Sequence, residues 1–163
     1  VDRFILKYPG IDELISSKAF SKAARLLLEE QKKSWTDLKK NYDSLKSTKE
    51  KVFSFNRFTI KAQYNPGRIK STTAKVDKKS INERECFLCS DNLYEGQKAI
   101  RYGEDFLILV NPFPIFPEHF TIPHKDHIPQ TVKESFNMML SLSKDLSGYV
   151  VIYNGPECGA SAP

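Results

Sequence analysis

Cysteine is scarce in this chain of 163 residues: there are three, and only Cys86 and Cys89 are close neighbours. So few cysteines do not make a disulfide framework, and a reduced, cytoplasmic protein is expected. No apolar run approaches the roughly 20 residues that a membrane helix needs. No signal-peptide pattern opens the sequence, so no membrane partner is expected. Neither a Walker-type loop nor a G-x-G-x-x-G fingerprint occurs, which removes two common phosphate-binding signatures. Internal repeats and low-complexity tracts are missing as well.

What remains has the make-up of an ordinary globular domain, 40% hydrophobic and 28% charged. The length suits one domain with a sizeable core, or one domain plus an accessory element. The net charge of +5 comes from 25 Lys and Arg against 20 Asp and Glu. This excess fits an anionic small molecule and also weak nucleic-acid affinity. The basic residues are dispersed, and no run of exposed aromatics is expected to interleave them, so no specific nucleic-acid partner is assigned.

Along the chain the hydrophobic period changes once. Residues 1–50 read as a helical segment: Ile11, Leu14 and Ile15 follow a Pro9-Gly10 turn, and a longer helix is expected from an N-cap at Ser21. Trp35, Leu38, Tyr42 and Leu45 form one helical stripe of core residues. From residue 51 to 163 the beat is that of strands. Phe58, Ile60, Ala62 and Tyr64 alternate with polar residues as a half-buried strand would. Residues 106–110 form a continuous apolar run, and 119–122 read as a further strand. Thr131 to Leu146 has helical spacing on Val132, Phe136, Met139 and Leu140, stopped by Gly148. Residues 149–153 read as a last strand. The order gives an α+β domain with an antiparallel sheet.

Four motifs carry candidate chemistry. Asn154-Gly155-Pro156-Glu157-Cys158-Gly159-Ala160-Ser161 follows the last apolar run, and its glycines let a backbone approach an anion closely. A ligand-free hairpin tip is the alternative, and Cys158 within it reads as packing. Cys86-x-x-Cys89 is half of a tetrahedral zinc site, or a redox pair, or chance. Asn111 ends an apolar run before a Pro-rich turn; its amide suits a diol, and equally suits a turn. His119 within that segment reads equally as a satisfied core histidine. Asn65-Pro66-Gly67-Arg68 offers a guanidinium fork suited to phosphate, followed by solvated lysines at 70, 75, 78 and 79.

Together these segments resemble the histidine-triad (HIT) superfamily, in its transferase and phosphorylase branch: galactose-1-phosphate uridylyltransferase, dinucleoside tetraphosphate phosphorylase and the GDP-hexose phosphorylases. The likeness covers roughly 58–163 and implies a HIT-like antiparallel sheet with flanking helices, preceded by the helical segment. It implies nucleotide contacts from Asn111, Asn154, Gly155, Gly159, Ser161, Arg68 and His119. It also implies a structural zinc on Cys86, Cys89 and His127, with a fourth ligand beyond Pro163. The family's His-x-His-x-Gln run is expected beyond Pro163 too, so no catalytic residue is assigned within the chain, and the chain alone is expected to be inactive.

The implied activity is nucleotidyl transfer or phosphorolysis through a nucleotidyl-histidine. The substrate is a nucleotide sugar or dinucleotide, and phosphate or a sugar phosphate is the acceptor. Self-association, or a retained C-terminal fragment, is expected along the unpaired edge near 149–153. Two other classes stay open: a non-catalytic nucleotide-binding module and a zinc-containing nucleic-acid adaptor.

Overall fold

The computed structural model describes residues 2–68, 77, 79, 80 and 83–155. Among them the chain is α+β, with four α-helices and two small antiparallel sheets. Helix α1 spans Ile11–Ser16, α2 Phe20–Ser34, α3 Thr36–Asp43 and α4 Val132–Asp145. Strands β1 (Lys49–Ser54) and β2 (Thr59–Tyr64) form a hairpin. Strands β3 (Ala99–Tyr102), β4 (Phe106–Val110) and β5 (Phe120–Thr121) form the second sheet, with β4 in the middle.

Helix α2 exists because its apolar residues recur at helical spacing. Phe20, Ala23, Ala24, Leu27, Leu28 and Gln31 are all buried, a stripe at i, i+3, i+4, i+7, i+8 and i+11. Burying each of Leu27 and Leu28 contributes roughly 1.5–3 kcal/mol. The N-cap expected at Ser21 lies elsewhere: α2 begins at Phe20, behind Ala19, without a side-chain cap. The Ser21 hydroxyl instead donates to the Ser147 carbonyl at 3.1 Å. The Trp35 stripe is interrupted as well. Trp35 is extended (φ −122°, ψ 94°) between α2 and α3, and its ring stacks on Tyr94 at 4.5 Å. Leu38 and Tyr42 of α3 are buried as expected.

Strand β4 is buried on both faces, which is why it reads as an unbroken apolar run. Ile108 and Val110 enter a large core shared with α2, α3 and Leu142 of α4. Leu107 and Leu109 enter a smaller one with Phe4, Leu93 and Ala99. The helices of the first fifty residues therefore share one core with the sheet, and β1 starts at Lys49, at the end of that segment. At the β3 edge, Leu6 N–H donates to the Ala99 carbonyl at 2.8 Å.

Three further elements differ from the sequence expectation. Strand β2 is not half-buried: every position of the hairpin is exposed. Helix α4 starts at a cap on Thr131 and is followed by Gly148 at φ 86°, as its sequence indicates. It buries Leu142, not the expected stripe; Val132, Phe136 and Leu140 are 46–55% exposed. Residues 149–153 belong to no strand. Tyr149 and Val151 pack on the large core, while Val150 and Ile152 are 85% and 69% exposed. A strand needs a neighbour for its backbone, and β5 pairs along only two residues, both with β4.

Candidate metal centre and ligand turn

A tight knuckle presents the two thiols. Cys89 N–H donates to the Cys86 carbonyl at 3.1 Å, and Asn92 Nδ2 donates to the same oxygen at 3.0 Å. Leu88 and Leu93 anchor the knuckle in the smaller core. His127 arrives from the loop after β5, which is bridged to β4 by the pairing of His124 with Phe106. Cys89 Sγ lies 3.2 Å from His127 Nδ1, and the ligand atoms of Cys86, Cys89 and His127 all lie within 4.8 Å of one another.

Ligands around a tetrahedral zinc stand about 3.5–3.8 Å apart, given the usual metal–ligand bonds. The cluster is therefore close to the geometry that would hold an ion. Burial, and next the neighbouring Cys86, push the Cys89 thiol above its ordinary value. An open cleft of ≈ 620 Å³ surrounds the cluster, lined also by Arg84, Glu85, Asp91 and Asn92. His124 stays outside it. Its Nδ1 accepts from the Asp126 N–H at 3.0 Å, and its ring sits edge-on to Phe106.

A second cluster forms on the Pro-rich turn after β4. Asn111 N–H donates to the His119 carbonyl at 2.9 Å, closing the turn. The Asn111 side chain also works for the turn: Oδ1 accepts from Phe113 N–H at 2.9 Å and Nδ2 donates to Thr121 Oγ1 at 3.1 Å. His119 is half-buried, and its Nδ1 accepts from Ile115 N–H at 3.3 Å. The neutral ring thus carries its proton on Nε2. Burial first, and the Arg68 charge second, hold this imidazole below its ordinary 6.5.

Arg68 ends a short 3-10 turn, Pro66–Arg68, after β2. Asn65 Nδ2 reaches the Pro114 carbonyl at 3.3 Å and Gln63 Nε2 reaches Ile115 at 3.4 Å. Asn65, Arg68, Asn111 and His119, separate in sequence, therefore gather at one turn.

Of the glycine-rich segment, Asn154 and Gly155 are described; Cys158, Gly159 and Ser161 lie outside the described residues, as do Lys70, Lys75 and Lys78. The Asn154 carbonyl accepts from Gln130 Nε2 at 2.8 Å, and the Gln130 carbonyl accepts from Tyr153 OH at 3.2 Å. Gln130 thus clasps the start of the segment, three residues after His127. A Cβ on Gly155 would stand 2.8 Å from the Tyr153 ring. The missing side chain makes room for that ring.

Some residues that shape these sites carry no motif. Glu118 accepts from Arg25 Nε at 3.1 Å and from the Tyr149 hydroxyl, joining α2, the Pro-rich turn and the segment after α4. Burial first, then Glu118, push the Tyr149 phenol up to about 12. Gln31 is buried, donating to the Gly96 carbonyl at 3.0 Å and accepting from Lys98 N–H at 2.7 Å. Its signal was available, as the one polar residue on the buried stripe of α2. Gln130 offered none.

No helix among the described residues is long and apolar enough to cross a membrane. No curated protein and no solved structure matches the chain. One family model does, over residues 27–163, from within α2 through the hairpin, the cysteine knuckle, the Pro-rich turn and α4. Because the match takes in both clusters and most of the chain, the protein belongs to the family described as Domain of unknown function (DUF4922).

Proposed function

We propose that the chain carries the HIT-like nucleotide-binding core of a nucleotidyltransferase or nucleotide phosphorylase acting on a nucleotide sugar or dinucleotide. The observation that carries this reading is the convergence of the Cys86, Cys89 and His127 ligand atoms, with Gln130 of the same loop clasping Asn154 at the glycine-rich segment. Two motifs far apart in sequence are thereby tied to one loop. The gathering of Arg68, Asn111 and His119 at the Pro-rich turn adds a permanent cation near His119.

Two thiolates and an imidazole form a donor set that suits zinc. The proposed role of the ion is structural, locking the knuckle to the His127 loop. The nucleophilic histidine is proposed to be supplied from beyond Pro163. Its ring nitrogen attacks the α-phosphorus; the new N–P bond forms as the bridging Pα–O bond breaks and the sugar phosphate leaves. An oxygen of inorganic phosphate then attacks the same phosphorus, the P–N bond breaks, and a nucleoside diphosphate departs. Backbone N–H groups of the glycine-rich segment would hold the phosphoryl oxygens through both steps.

The test uses the full gene product carrying this chain, with a panel of nucleotide sugars and dinucleoside polyphosphates plus inorganic phosphate. Release of a nucleoside diphosphate is expected, together with protein labelling from α-phosphate-labelled substrate when phosphate is omitted. Nucleotide binding with neither turnover nor label would favour a non-catalytic binding module, the second reading. The Asn111 amide spends one acceptor site and one N–H on its own turn, which leaves a second lone pair and a second N–H for a ribose in either reading. No binding of any nucleotide would sink both.

A further inference from the structure

The hairpin β1–β2 is built the wrong way round for a sheet that belongs to the core. Register and alternation place Phe53, Ile60, Ala62, Tyr64, Lys49 and Lys51 on one face, and the neighbouring Phe55 and Phe58 extend it at the tip. The other face carries Glu50, Val52, Ser54, Thr59, Lys61 and Gln63. It is this more polar face whose Gln63 reaches the Pro-rich turn, through the Ile115 carbonyl. The aromatic face points away. Phe53, Phe55, Phe58, Ile60 and Tyr64 on it are each 41–61% exposed. A contiguous exposed apolar face on a two-stranded hairpin marks an interaction surface, because such a hairpin is marginal in water unless something covers it.

The charges on the face select the occupant. Its only charged residues are Lys49 and Lys51; Glu50 lies on the opposite face. Lys51 Nζ sits over the Phe53 ring at 5.0 Å, so the cation and the rings form one surface. Arg57 stands exposed in the turn between Phe55 and Phe58, whose rings stack at 4.8 Å. A shallow groove of ≈ 240 Å³ crosses the base, lined by Lys49, Lys51, Ala62 and Tyr64, with Glu50 and Gln63. Taken whole, residues 49–64 hold four cations against one anion. Exposed rings interleaved with cations are what single-stranded nucleic acid requires, since every base has a face to stack and every link a negative charge. The structure thereby corrects the expectation that no exposed aromatics interleave the basic residues.

We propose that the outward face of the β1–β2 hairpin binds single-stranded nucleic acid without sequence preference, bases on Phe53, Phe55, Phe58 and Tyr64 and phosphates on Lys49, Lys51 and Arg57. The surface is distinct from the Cys–His cluster and faces away from the Pro-rich turn, so it goes beyond the nucleotidyl-transfer reading and does not depend on it. A second copy of the chain covers the face less well, because the hairpin is only about 20 Å long. A contact of that size falls well short of the roughly 800 Å² per partner of a stable interface.

The test is fluorescence polarisation of the 163-residue chain with labelled twelve-nucleotide oligo-dT and oligo-U. Both should bind in the micromolar range at 50 mM salt. With about three phosphate contacts, affinity should fall about 20-fold by 200 mM salt. Phe55→Ala with Phe58→Ala should weaken binding at least tenfold while leaving the melting temperature unchanged, since both rings are exposed. Lys49→Glu with Lys51→Glu should remove most of the salt dependence. The proposal is overturned by any of three results: no polarisation change at 50 mM salt, binding indifferent to both pairs of substitutions, or binding to phosphatidylserine vesicles that excess oligonucleotide does not displace. Self-association in sedimentation equilibrium that is abolished by Phe55→Ala with Phe58→Ala would overturn it in favour of a second copy.

Discussion

Cys89 Sγ and His127 Nδ1 face each other at 3.2 Å across a separation of 38 residues, the first on the cysteine knuckle and the second on the loop after β5. The pair is within hydrogen-bonding distance, and with Cys86 Sγ the same atoms stand close enough together to share an ion. The full gene product is expected to contain about one zinc per chain, measured by atomic emission. Cys86→Ser or His127→Ala should lower both metal content and melting temperature. A metal-free protein that melts at the same temperature as these variants would remove the metal centre.

The His119 imidazole predicts a pH dependence. Its folded value is depressed, first by burial and then by Arg68, so the unfolded chain binds the proton more readily than the fold does. Its contribution to stability is complete above the ordinary value of 6.5 and is lost as pH falls below that value toward the depressed one. Urea melts should therefore show the protein less stable at pH 5.5 than at 7.5. His119→Asn, which keeps an acceptor near Ile115 N–H but cannot titrate, should flatten that difference. An equal loss in both proteins would place the titrating group elsewhere.

Gln31 is predicted to matter far more than the exposed apolar residues at the other end of the chain. Gln31→Ala strips the Gly96 carbonyl and the Lys98 N–H of their partner at a buried position, at a cost of about 1–3 kcal/mol. Ile152→Ala, at a residue 69% exposed, should change stability by less than about 0.5 kcal/mol in this chain. Denaturant melts of the two variants side by side decide the ranking.

Gly155→Ala should displace the Tyr153 ring, because the new methyl would sit 2.8 Å from it. The expected loss is about 1 kcal/mol, accompanied by shifts in the Gln130 side-chain amide resonances as the clasp on Asn154 loosens. Unchanged Gln130 resonances would show that the ring moves aside freely.

The elements of the fold were legible wherever period and burial agree. The buried β4, the helix from Thr131 onward and its Gly148 stop follow directly from their residues. The grouping of His127 with the CxxC came from resemblance rather than from spacing, and the fold brings the three side chains together. The misread faces share one physical cause. Alternation in β2 and the Val132–Phe136–Leu140 stripe in α4 tell which residues form an apolar face, but not whether the described chain covers it. Residues 149–153 form an apolar run that reads as a strand, yet pairing is a property of two segments, and no strand among the described residues pairs with this run. Trp35 fails differently: helical spacing continues through it although the backbone does not.

Strand β4 has a consequence for how the protein opens. Ile108 and Val110 hold it to a core that draws on α2, α3 and α4, whereas Leu107 and Leu109 hold it to a handful of side chains that also seat the cysteine knuckle. Cooperative units with so few apolar contacts open at lower free energy than the rest of a fold. Amide hydrogens of the knuckle should exchange with solvent well before those of α2, although both lean on the same strand. The metal ligands would then be able to part and close again while the helical layer stays intact, giving an ion a way in and out that costs less than unfolding the molecule.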